Sequence, residues 1–293
     1  MIRKQAVQTR LLLMLVIVLF LLAGCAAKKS IWGDPKSGLI LTYRMAENEI
    51  LKYETSASEV QKLEIMGQTR ETINKVSIKF SVQGKGLKEK NLLLGITVKD
   101  MKIDTSGGMT GKKSLDMSPV TGKSFDMTLS PIGKEVGFSG TKSLEYEALQ
   151  ESKRNIESSF RNIFPNLAGN PVKIGDTWPT KEEVTEKVGG VEIHVVTESV
   201  NTLQGLETLN GMECVKIETK TTGTLDGEGE QMGNQFTFKG KVTGTAAWYF
   251  AYKKGVFVKL TANSTTKGSV ELTAQGMSLP LTQESKAEIN LVK

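Results

Sequence analysis

The chain is poor in the residues that most chemistry needs. Its single histidine among 293 residues is His194. Zinc centres and Ser–His or Cys–His pairs need imidazoles with partners, and one histidine among scattered acids builds no convergent site. In "VEIHVV" His194 alternates with Ile193 and Val195, which places it on the wetter face of a strand. The two cysteines, Cys25 and Cys214, are too few for a disulfide framework. Cys214, in "GMECVKIE", reads as a small buried hydrophobe. Aromatics make up 6% of the chain, which weakens the case for a sugar-stacking platform. Charge of one sign is also lacking. Setting aside Arg3, Lys4 and Arg10 ahead of the apolar run leaves 35 of the 38 cations against 32 acids, a net of +3. So small and evenly spread an excess gives no argument for nucleic acid, and none is expected as a partner.

A long apolar run is missing too. Residues 11–24 are 14 uncharged and mostly large apolar positions, whereas a spanning helix wants about 20. With Arg3, Lys4 and Arg10 before it, this run has the length of a signal-peptide core. It ends in Leu22-Ala23-Gly24-Cys25. That arrangement resembles the lipobox of bacterial lipoproteins. The resemblance implies cleavage before Cys25, a diacylglyceryl group on its sulfur, and an acylated amine. One acyl chain binds a bilayer only marginally, so two or three make a stable anchor. The expected organisation is a cleaved leader at 1–24, a lipidated tether at 25–37 and a β-rich body at 38–293. The membrane is then a partner through the acyl chains on Cys25, and the address is the exported side of a cell-envelope membrane.

Past the tether, period-two patterning dominates. "VSIKFSVQ" sets Val76, Ile78, Phe80 and Val82 on one face. Leu92, Leu94, Ile96 and Val98 continue the pattern, and a slip leads to Met101 and Ile103. Val215/Ile217, Phe236/Phe238, Trp248/Phe250/Tyr252, Val256/Val258/Leu260 and Val270/Leu272/Ala274 follow, with mostly Thr, Lys, Ser and Glu on the opposite faces. These are half-buried antiparallel strands. "VGGV" and "KKGV" read as their hairpin turns, and "GEGEQMG" (227–233) as a hairpin loop. Gly122-Lys123-Ser124 ends like a phosphate loop, but Met117 stands where the first glycine belongs and "FDMTL" alternates as a strand. "TGKKSLDMS" (110–118) is echoed by "TGKSFDMT" (121–128), two similar arms around Pro119.

One segment, 142–164, carries a helical stripe of Tyr146, Leu149, Ile156, Phe160 and Ile163 that Pro165 stops. The fold class expected is therefore mainly β: long antiparallel strands in a curved sheet, a half-barrel or two-sheet body, with one central amphipathic helix. That helix would join two halves at 38–141 and 172–293. One helix cannot cover so many strands, so the sheet must close, pack on a second sheet, or leave a concave apolar face.

The stretch "FPNLAGNPVKIGDTWP" (164–179) is fixed by Pro165, Pro171 and Pro179, with a turn at Gly175-Asp176 and Trp178 as a structural plug. A helix followed by "PVKIGDTW" resembles a segment of exported bacterial β-rich proteins, many of them lipoproteins. The layout resembles, at the level of fold alone, the half-barrel carriers of the LolA and LppX type. No catalytic residue, cofactor or metal ligand is expected. The expected function is non-enzymatic, with a lipid or amphipathic ligand in a concave sheet face. The alternative is a structural or protein-interaction module of the envelope with a filled core.

Overall fold

In the computed structural model, residues 31–107, 111–147, 153–188, 191–231 and 234–292 are described. Cys25 and the leader lie outside them. The short strands β1 (Gly33–Asp34) and β2 (Gly38–Leu39) come first, then three long ones: β3 (Ile50–Ile65), β4 (Gln68–Lys88) and β5 (Asn91–Gly107). β6 (Lys113–Ser114), β7 (Ser124–Leu129) and β8 (Glu135–Ser139) follow, and then a separate pair, β9 (Glu145–Glu147) and β10 (Lys153–Asn155). Six long strands complete the chain: β11 (Thr177–Val188), β12 (Val191–Leu209), β13 (Met212–Gln231), β14 (Asn234–Ala251), β15 (Val256–Leu272) and β16 (Met277–Val292).

Twelve strands form one curved antiparallel sheet that does not close. Its order is β11-β12-β13-β14-β15-β16-β3-β4-β5-β7-β8, with β6 also on β5. β16 pairs with β3 from Leu281↔Leu63 to Val292↔Lys52, so the early and late blocks share a single sheet. β8 and β11 are the open edges.

The alternation sets the inner face. Val76, Ile78 and Phe80 stand opposite Ala57, Thr55 and Tyr53 on one side, and Ile103, Met101 and Val98 on the other. The slip after Val98 is a bulge, since Lys79 pairs with Asp100 and Phe80 with Val98. A second bulge corrects the late pattern. Phe250 pairs with Phe257, which enters the main core, while Val258 turns to Cys214 and Ala251 in a small cluster of its own. The segment 227–231 is also not a loop but the end of β13, with Gly227 and Gly229 facing Phe238 and Phe236 across the strand pair. A Cβ on Gly227 would lie 2.2 Å from the Phe238 ring, so the aromatic fills the space glycine leaves.

The central helix is a correction. Across the described parts of 142–164 the chain forms β9, β10 and a 3₁₀ turn at Ile156–Ser159. Leu144 and Tyr146 are buried at strand spacing, and Tyr146 pairs with Arg154. The Asn155 side-chain Oδ1 accepts the Glu157 N–H, and its Nδ2 donates to the Thr141 carbonyl, which ends β10 and starts the turn. Tyr146, Ile156, Phe160 and Ile163 are all buried as the stripe requires. They reach the core from a folded-back strap, because burial against the sheet outweighs local helix propensity. Leu149 lies outside the described residues.

The core occupies one end, here the base, where the turns at 88–91, 209–212 and 251–256 gather. Tyr53 stacks on Phe80 at 5.4 Å and on Phe257 at 6.2 Å. Phe160 meets Phe80 and Phe125 edge-on, each at 5.1 Å. Residues 38–48 cross this end: Leu39 bridges Val172, the Tyr43 N–H donates to the Pro131 carbonyl, and the Arg44 N–H to that of Gly255. Trp178 is buried edge-on to Trp248 and donates to the Asn166 carbonyl. Both arms of the short tandem lie on β5, Ser114 opposite Asp104 and Ser124 opposite Thr97.

Candidate functional site

Away from the base, the inner face changes character strand by strand. Past Trp248, β14 presents Ala246, Gly244, Val242, Gly240 and Phe238 inward, paired with Thr219, Thr221, Gly223, Leu225 and Gly227 of β13. β15 and β16 add Ala262↔Ala287 and Ser264↔Ser285 at the same level. This band of small side chains separates the aromatic base from an apolar zone nearer the tip. Val195 and Leu225 form one pair of that zone, and Val270 and Leu279 another.

Where the band meets the strap, the concave face holds a cavity of about 530 Å³, a volume ordinary for a small-molecule site. Ala57, Val76, Ile103 and Ala287 supply its sheet wall, and Tyr146, Arg154, Ser158 and Ser159 its strap side. A polar ladder runs through it across four strands. Gln283 donates to Glu59 at 2.7 Å, Asn74 donates to Glu59 at 3.1 Å, and Thr105 donates to Asn74 at 2.9 Å. Glu59, Asn74 and Thr105 are direct cross-strand neighbours. A second ladder flanks the base at the other side. Trp248 donates to Thr219, Thr219 to Asn201, and Asn201 to the Trp178 carbonyl. The concave surface can therefore take an amphiphile, apolar along the walls with hydrogen-bonding groups at one level. The sequence signal was present but unread: Glu59, Asn74 and Thr105 are polar residues at inward positions of period-two runs.

The open edges carry a pair of half-buried carboxylates. On β8, burial pushes the Glu135 carboxyl up to about 7, while the backbone N–H groups of Asn162 and Ile163 favour its charged form and oppose the rise. The charge of Glu182, on β11, adds to the rise, and Arg161 opposes it. Glu182 is itself raised by burial and accepts from Asn166. Glu182 thus holds the segment just after the strap through Asn166, and Glu135 sits beside the strap's Asn162 and Ile163 N–H groups. A group with a raised folded pKa gives stability that is complete below its unfolded value and is lost as pH rises through the folded one. The denaturation midpoint should therefore fall between the ordinary glutamate range and about pH 7, and Glu135→Gln should flatten that fall. Identical pH profiles for the two proteins would refute it.

His194 lies on the outer face, as its alternation required. Its Nε2 is 3.1 Å from Glu183 and its Nδ1 3.6 Å from Asp226. The Glu183 hydrogen bond, aided by Asp226, raises its pKa above the usual value. An NMR titration should show this, and Glu183→Gln should bring the midpoint back down. No group of three or more metal-ligating side chains occurs among the described residues. Gly122 is in a turn, and the Ser124 hydroxyl meets that of Thr97 at 2.8 Å, so this triplet is spent on starting β7. Cys214 is fully buried, and Cys25 lies outside the described residues.

No family model and no curated protein matches the chain. Among solved structures, an outer membrane channel from Pseudomonas putida F1 aligns at 7% identity and TM-score 0.27, over 85% of this chain and 97% of its own. OccK2 of Pseudomonas aeruginosa aligns at 8% identity and TM-score 0.27, over 84% and 98%. A DUF1329 family protein from Desulfovibrio piger aligns at 12% identity and TM-score 0.15, over 82% and 84%. These scores are too low to transfer a fold or a role.

Proposed function

We propose that this chain is a lipid-anchored protein of the cell envelope that holds a lipid-like amphiphile on the concave face of its sheet, without catalysing a reaction. One observation carries the ligand: the main core cluster lies at the base, and beyond it a small-residue band leaves a cavity of about 530 Å³ on the concave face. The anchor rests on the lipobox at Cys25.

Native mass spectrometry of the protein purified undenatured from the envelope tests the ligand. The expected result is a copurifying amphiphile, lost from Ala57→Trp, which places an indole in the cavity while circular dichroism stays unchanged. Ligand-free protein that takes up no lipid after refolding sinks the reading. The filled base, with Tyr53, Phe80, Phe250 and Phe257 all buried, favours the second reading, an interaction module. A copurifying protein in place of a lipid would establish that instead.

A further inference from the structure

The base of the sheet also has an outside. Residues 38–43 alternate there, with Leu39, Leu41 and Tyr43 buried and Ile40 exposed. The Ile40 N–H donates to the Trp32 carbonyl, which brings exposed Ile31 alongside. The Leu39–Val172 bridge brings in Lys173 and exposed Ile174, and the Tyr43–Pro131 bond brings in exposed Ile132 and Lys134. Arg44 bonded to Gly255 adds the turn that carries Lys253 and Lys254. One backbone-linked neighbourhood thus presents four exposed isoleucines among exposed lysines. Nearby acids are partly engaged: Asp34 accepts from Lys36 and Ser37 N–H groups, Asp176 from the Lys173 N–H, and Glu213 pairs with Lys253.

Chain length says what lies opposite. Ile31 is six residues from Cys25, and an extended chain spans at most about 3.3–3.6 Å per residue, roughly 20 Å here. β3 and β4 run 16 and 21 residues, about 50–70 Å at the usual rise. So short a tether cannot bring the far hairpins to the bilayer in place of the base while the body stands upright on it. We infer that the face built from Ile31, Ile40, Ile132 and Ile174 with Lys134 and Lys173 rests on an anionic bilayer surface, so that the sheet stands on its base and its cavity-bearing half points away from the membrane. Isoleucines at a headgroup boundary bury apolar area, and lysines beside them are drawn to anionic lipid. The inference rests on the lipid-anchor reading and is independent of the ligand.

The test places the protein purified from cells in vesicles of mixed phosphatidylglycerol and phosphatidylcholine. Lysine acetylation is timed by mass spectrometry against Cys25→Ser protein free in solution. Lys36, Lys134, Lys173 and Lys254 are expected to react several-fold more slowly on vesicles, and Lys241 and Lys267, toward the tip, at an unchanged rate. If Cys25 carries its acyl mass but the tip lysines are the protected ones, or none is, the orientation is overturned and the anchor stands. If Cys25 carries no acyl mass, the anchor reading has failed. A maleimide phospholipid coupled to Cys25, with Cys214 buried out of reach, then decides the orientation alone: base protection upholds it, and its absence overturns it.

Discussion

Phe160→Ala is expected to cost about 3–5 kcal/mol of stability, the usual range for removing a fully buried phenyl ring. Phe160 has no exposed surface and touches Phe80 and Phe125 edge-on, so it ties the strap to β4 and β7 at once. Edge-to-face pairs add about 0.5–1.5 kcal/mol each to the area term, which puts this position toward the upper end. Denaturant unfolding measures the effect as a shift of midpoint. The strap arrangement makes a second demand. The Glu135 carboxyl lies beside the N–H groups of Asn162 and Ile163, just beyond Phe160, which oppose the rise of its pKa. Amide exchange at 162 and 163 should accelerate in the variant while the β14–β15 ladder stays protected. A midpoint shift of a few tenths of a kcal/mol would mean the ring is not packed as described.

Cys25→Ser is expected to abolish fatty-acid incorporation and release the protein from the membrane fraction. Each buried CH₂ is worth about 0.8 kcal/mol, so losing two or three chains removes far more binding energy than exposed isoleucines supply. Among the described residues no helix is long and apolar enough to cross a membrane. A Cys25→Ser protein that still takes up labelled fatty acid and stays membrane-bound would refute the anchor.

What the sequence made legible follows from what period-two patterning encodes. It assigns a face, and it did so for Val76, Ile78 and Phe80, for the bulge after Val98, and for His194 on the wet side. Patterning carries no partner. The Gln283–Glu59–Asn74–Thr105 ladder depends on β16 lying beside β3, a pairing across more than two hundred residues that no local signal announces. The helix expected at 142–164 failed for a related reason. Tyr146, Ile156 and Phe160 satisfy a helical stripe, but the deciding force is contact with Phe80 and Phe125 from distant strands. In 227–231 the glycines suggested a loop, yet their purpose lies in the neighbouring strand, where Phe236 and Phe238 cover them.

The pairing of β16 with β3 also has a consequence for how the protein is made. An emerging chain exposes β3 long before β16, and one edge of that strand has no partner until β16 has been made. The early hairpins β3–β4–β5 can form, but the sheet is completed only when its two remotest strands meet. Such distant pairing is slow, because the entropy of closing the largest loop comes before any contact rewards it. A chain that delays completion in this way keeps this sheet open until β16 is released.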